Sequence, residues 1–126
     1  HTRFRNVTGV QTCALPIYVG EKSDAVFERV IQKIANLTRD SRLAGKVEIR
    51  VVAHGDGIDF VVPAKNNQSE SIPVMVKSGI IIEACENSLQ GHKIAKKDMF
   101  PGVVSVESGI GELVLLQQQG YAYFKP

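Results

Sequence analysis

The chain has 126 residues, 44% hydrophobic and 22% charged, which fits one globular domain and leaves no room for a second core. Its 15 basic and 13 acidic residues give a net charge of +2, too small to point to nucleic acid or another polyanion. No apolar run approaches the ~20 residues of a membrane span, no signal-peptide core follows the early arginines, and two cysteines make no disulfide framework, so a reduced, cytoplasmic setting without membrane association is expected.

The first seventeen residues differ in character from the rest. They hold Arg3 and Arg5 and no acid, and without them the basic and acidic residues balance. Val7 to Ile17 read VTGVQTCALPI, which looks like the translation of a sequencing-adapter oligonucleotide joined in frame to a truncated gene. Residues 1–17 are therefore read as a non-native segment that adds little to the core, and residues 18–126 as the domain, with Cys13 set aside. An α/β domain needs a strand ahead of its first helix. The residues in that place, CALPIY, are apolar, but Pro16 lacks a ladder donor and makes a poor central strand. The first strand is expected to be lost or replaced by non-native residues.

Ser23 or Asp24 can cap a helix whose apolar residues recur at Val26, Val30 and Ile34, flanked by Phe27, Ile31 and Ala35. Arg39 to Ser41 lead out of it, and Gly45 closes the turn. Lys46 to Ala53 alternates and then turns continuously apolar, as a buried strand does. His54-Gly55-Asp56-Gly57 forms a loop, Ile58 to Val62 a short amphipathic piece ended by Pro63, and Asn66 to Ser71 a polar, exposed loop. Ile72 to Lys77 reads as helical rather than extended. After Gly79, Ile80 to Ile82 is a second buried strand, and Ala84 to Leu89 turns out of it into a short helix. Val103 to Val106 follows Pro101 and Gly102 as a further strand. Ser108 caps a helix over Ile110 to Gln119 with Ile110, Leu113, Val114 and Leu116 as core positions, and Gly120 suits a left-handed cap. Tyr121 to Phe124 reads as a last short strand. Helices alternating with strands predict an α/β fold, a three-layer α/β/α sandwich with a mainly parallel sheet of about five strands.

In open parallel sheets ligands gather at the carboxyl ends of the strands. Two polar stations fall there, His54-Gly55-Asp56-Gly57 and Cys85-Glu86-Asn87-Ser88. Cys85 stands where a strand passes into a helix, and helix-start amides favour a thiolate. The competing reading is an inert cysteine used as a small apolar core residue. His54 is placed to donate a hydrogen bond, or to protonate a leaving sulfur, near Cys85; alternatively it is a loop histidine bonded to backbone. Gly55, Asp56, Glu86 and Asn87 are further lining candidates, with Glu86 opposing ionisation if its carboxylate points inward. His92, between Gly91 and Lys93, reads as solvated. No Cys/His set has zinc spacing, and neither a complete phosphate-binding glycine loop nor any other cofactor motif is present, so no metal and no cofactor are expected.

The blocks VEIRVVAHGDGI, GIIIEACENSL and SGIGELVLLQQQGYAYFKP, in that order and spacing, resemble DsrE/DsrF-like proteins over Val19 to Pro126. The resemblance implies a three-layer domain, assembly as a homo-oligomer, and a persulfide-carrier role for Cys85. The function expected from it is sulfur relay, a sulfurtransferase-like transfer of sulfane sulfur from a donor protein to an acceptor protein's thiol. The alternative is a non-catalytic small-ligand-binding or structural subunit of a homo-oligomer, since some relatives lack the carrier cysteine.

Overall fold

One five-stranded sheet organises residues 4–7 and 10–120, the part of the chain described by the computed structural model; side chains are described from position 15 to position 120. The strands are β1 (Phe4–Val7), β2 (Val10–Val19), β3 (Val47–Ala53), β4 (Ile81–Cys85) and β5 (Val104–Val106), and they lie side by side in chain order. β1 runs antiparallel to β2, and every later pair is parallel. Among the described residues four α-helices connect or follow them: α1 (Asp24–Arg39), α2 (Ser71–Lys77), α3 (Glu86–Gly91) and α4 (Gly109–Gln118). The strand expected over Tyr121 to Phe124 lies outside the described residues.

A first strand is present: of the two expected outcomes, loss or replacement by the segment ahead of α1, the chain shows the slot filled. β2 pairs with β3 from Cys13 opposite Val47 to Val19 opposite Ala53, so the segment ahead of α1 fills the slot. Pro16 and Ile17 are both buried, which corrects the expectation that residues 1–17 add little to the core. Pro16 is tolerated for a local reason. Among the described residues β1 pairs with β2 only as far as Cys13, so at Pro16 the strand has a neighbour on one side. Proline is admitted at such an edge. Ile17 is 0% exposed, so Ile17→Val should lower stability by about 0.5–1.5 kcal/mol. A denaturant midpoint left unchanged by that substitution would show that position 17 is not packed.

Side-chain alternation along the strands sorts the two faces. Ile17 and Val19, Ile49, Val51 and Ala53, and Ile82 and Ala84 join one large core with α1, α2 and α3. Ser23 caps α1 by accepting from the Val26 amide, and Val26, Phe27, Val30 and Ile34 form its buried stripe, as the spacing predicts. The piece after β3 winds as a 3-10 helix over Gly55–Val61 and puts Ile58, Phe60 and Val61 fully inside this core. Asn66, expected to be exposed, is 4% exposed. Its amide donates to the Phe60 carbonyl at 2.7 Å and its side-chain oxygen accepts from the Gln68 amide at 2.7 Å, so a polar side chain is buried with both ends satisfied.

The other face carries the intervening residues. There Val52 packs with Leu113 and Leu116 of α4, and Tyr18 lies against them. The same alternation gives this face Glu48, Arg50, Glu83 and Cys85. α4 therefore supplies the third layer. Leu113 and Leu116 are buried as expected, but Ile110 and Val114 are 51% and 50% exposed. Apolar residues surround this helix on every side, so the pattern does not say which stripe faces the sheet.

Candidate functional site

β3 and β4 run parallel with Ala53 opposite Ala84, so His54 and Cys85 leave the sheet at the same edge and the same level. Cys85 ends β4 and is the N-cap of α3, the strand-to-helix junction that the sequence indicates. It is 2% exposed yet lies outside both apolar clusters. Its surroundings are polar. Burial pushes the Cys85 thiol up, but the Ser88 hydroxyl and the amides of Gly109, Ser88 and Asn87 outweigh it and bring the thiol below its ordinary value.

The Ser88 hydroxyl has two duties. Its proton serves Cys85, and its oxygen accepts from the Gly55 amide at 2.8 Å. Loop 54–57 is thereby tied to the thiol's immediate surroundings. The same loop is anchored to β2, because the His54 amide donates to the Val19 carbonyl at 2.9 Å and the Gly57 amide to the His54 carbonyl at 3.0 Å.

His54 does not hydrogen-bond Cys85. Its Nδ1 is hydrogen-bonded to the Tyr18 hydroxyl, with the two rings tilted and their centroids 5.4 Å apart. Gly109 stands beside it, and a Cβ there would meet the His54 Cβ at 2.9 Å and Cδ2 at 3.1 Å. Gly109, which turns its amide to Cys85 and its open side to His54, thus joins the two expected site residues.

The remaining candidates divide. Gly55 adopts φ +58° and presents its amide to Ser88. Asn87 contributes its backbone amide while its side chain is exposed. Glu86 points away: its carboxylate accepts from the Ser105 hydroxyl at 3.1 Å, on the rim of a cleft of about 460 Å³ beside α3 and β5. Cys85 and His54 do not line that cleft. Asp56 is exposed and stands 3.6 Å from Nε2 of His92. His92 is exposed, in keeping with its Gly-His-Lys setting.

Sequence reasoning missed Ser88 as a hydrogen-bonding partner, Gly109 and Tyr18. Ser88 leaves a signal, because Cys-x-x-Ser puts the hydroxyl three residues after an N-cap, where it turns back onto the cap. Gly109 and Tyr18 leave none, since only tertiary packing brings them to Cys85 and His54.

A model of the DsrE/DsrF-like family matches residues 21–126. Among solved structures, a protein of unknown function from Methanobacterium thermoautotrophicum, MTH1491, is similar with a TM-score of 0.83 and 26% identity, over 90% of this chain and 99% of that one. A conserved protein of unknown function from Bacteroides thetaiotaomicron, BT1422, is similar with a TM-score of 0.70 and 22% identity, over 90% and 94% of the two chains. The ychN protein from E. coli shares the fold with a TM-score of 0.61 and 13% identity, over 91% and 99%. No curated protein matches the chain. Among the described residues no helix is long and apolar enough to cross a membrane.

Proposed function

Because the chain belongs to the DsrE/DsrF-like family, associated with sulfur relay, we propose that it carries sulfane sulfur as a persulfide on Cys85 and passes it to a partner thiol. The observation supporting this reading is the ring of donors on Cys85, one hydroxyl and three amides, which favours the thiolate in spite of burial. The thiolate is the attacking species. It attacks the outer sulfur of a donor persulfide; a new S–S bond forms at Cys85, the donor's S–S bond breaks, and the donor's inner sulfur leaves as thiolate. The acceptor's thiolate then attacks the outer sulfur and releases the Cys85 thiolate. The sulfane atom keeps its oxidation state through both transfers, so neither oxidant nor reductant is consumed.

Outside the first seventeen residues Cys85 is the chain's one cysteine, so donor and acceptor are other proteins. His54, one glycine away from the thiol, is assigned the proton for the departing donor sulfur when the site is open. Assembly as a homo-oligomer in the cytoplasm belongs to the same reading.

Inorganic polysulfide followed by intact mass measurement tests it. In a Cys13→Ser background the chain is expected to gain one sulfur atom, removable by dithiothreitol, and the further substitution Cys85→Ser to abolish the gain while keeping the circular dichroism spectrum. The 2% exposure of Cys85 favours a second reading, a non-catalytic structural subunit. In that case the folded protein neither loads sulfur nor reacts with iodoacetamide.

A further inference from the structure

A thiol that is 2% exposed works only if something uncovers it. Gly109, the first residue of α4, touches it. α4 rests on the sheet through Leu113 and Leu116 against Val52 and Tyr18, a small apolar contact, while Ile110, Val114 and Leu115 are exposed. One turn beyond Gly109 the helix makes a contact of another kind. Glu112 meets Glu83, which lies two residues before Cys85 on the same face of β4.

The Glu83 side chain is 4% exposed. Its Oε2 faces Arg50 Nη1 at 3.3 Å, and Arg50 Nη2 bonds Glu48 at 3.0 Å. Among the described residues, the charged groups around Glu83 include Arg50 from β3, with Glu48 behind it, and Glu112 from α4. Oε1 of Glu83 is buried and, among the described residues, meets no donor. Two adjacent carboxylates in so dry a place repel, whereas one shared proton joins them by a short charge-assisted hydrogen bond.

We propose that the Glu83–Glu112 pair, holding one proton between its carboxyl groups, clasps α4 over Cys85, and that loss of this proton uncovers the thiol. The device rests on Cys85 being the working thiol, but the position of α4 can be measured independently of sulfur chemistry.

The sign follows from where the proton is held. Burial first, and then Glu112, push the Glu83 carboxyl from 4.5 up to about 8 against the pull of Arg50. With α4 lifted, the Glu83 carboxyl enters water and loses both the burial and the Glu112 neighbour that raise it. The closed form therefore binds a proton that the open form lacks, in the window between 4.5 and about 8. Closure is fully stabilised below that window, weakens as pH rises through it, and levels off above.

Hydrogen exchange of the α4 amides, corrected for the intrinsic pH dependence of exchange, reads opening directly. Protection should fall with rising pH by up to about tenfold per pH unit through the window and then flatten. Iodoacetamide reactivity of Cys85, divided by the thiolate fraction from ultraviolet absorbance, should rise in parallel. Glu112→Gln and Glu83→Gln each keep a hydrogen-bonding side chain and remove the shared proton, so either should flatten both profiles. Flat profiles in the unmodified protein would overturn the proposal. So would unchanged slopes in both variants, or an α4 that opens while Cys85 reactivity stays constant. Failure of polysulfide loading alone would leave these readouts intact and count against the carrier reading instead.

Discussion

Gly57→Ala is expected to lower stability by about 3 kcal/mol or more, toward the upper end of what single substitutions do. A Cβ at this position would stand 2.2 Å from the Val19 carbonyl oxygen, 2.6 Å from its carbon and 2.9 Å from the Gly20 nitrogen. All three are backbone atoms at the end of β2, so no side chain can rotate away to make room. The loop has to lift. Lifting it strains the bond from the His54 amide to that same Val19 carbonyl and draws Gly55 away from Ser88. Gly55→Ala provides the comparison, since the nearest atom to its Cβ is 3.8 Å away and the penalty there comes from φ +58° alone, roughly 1 kcal/mol. Urea midpoints of the two variants rank the effects. If Gly57→Ala is no less stable than Gly55→Ala, the loop is not seated on β2 in this way.

The parts legible in the sequence are those fixed by local periodicity. The α1 stripe and its Ser23 cap, the β3 and β4 runs and the left-handed Gly120 all follow from spacing and residue type within a few positions. Placing His54 and Cys85 at one sheet edge needed only the parallel connection of two such strands. The DsrE/DsrF-like resemblance and the family match agree on most of the chain. Long-range packing was not legible. Pro16 argues against a central strand in sequence, but among the described residues it lies beyond the stretch of β2 that pairs with β1. The apolar residues of α4 surround the helix, and only contact with Val52 and Tyr18 decides that Leu113 and Leu116 go inward. Cys85 showed its strand-to-helix position but not its burial, because Gly109 arrives from 24 residues further along the chain.

The sharpest chemical test of the site is Ser88→Ala. The hydroxyl is the strongest of the groups that pull the Cys85 thiol down, ahead of the Gly109, Ser88 and Asn87 amides, and all of them act against burial. Removing it leaves burial opposed by amides alone, so the thiol should hold its proton to higher pH, and the thiolate fraction at pH 7 should drop several-fold or more. The substitution also strands the Gly55 amide, which now donates to the Ser88 oxygen at 2.8 Å in a half-buried position. A donor left without a partner costs about 1–3 kcal/mol, so a stability loss of that order should accompany the change at the thiol. The two effects separate by measurement. Ultraviolet titration of the thiolate reads the first, and the urea midpoint reads the second. Ser88→Thr keeps the hydroxyl and should restore the titration even if its extra methyl group lowers stability. Were Ser88→Ala to titrate like the unmodified protein while losing stability, the serine would be a strut for loop 54–57 with no electrostatic role at Cys85. The persulfide reading would then rest on the amides alone.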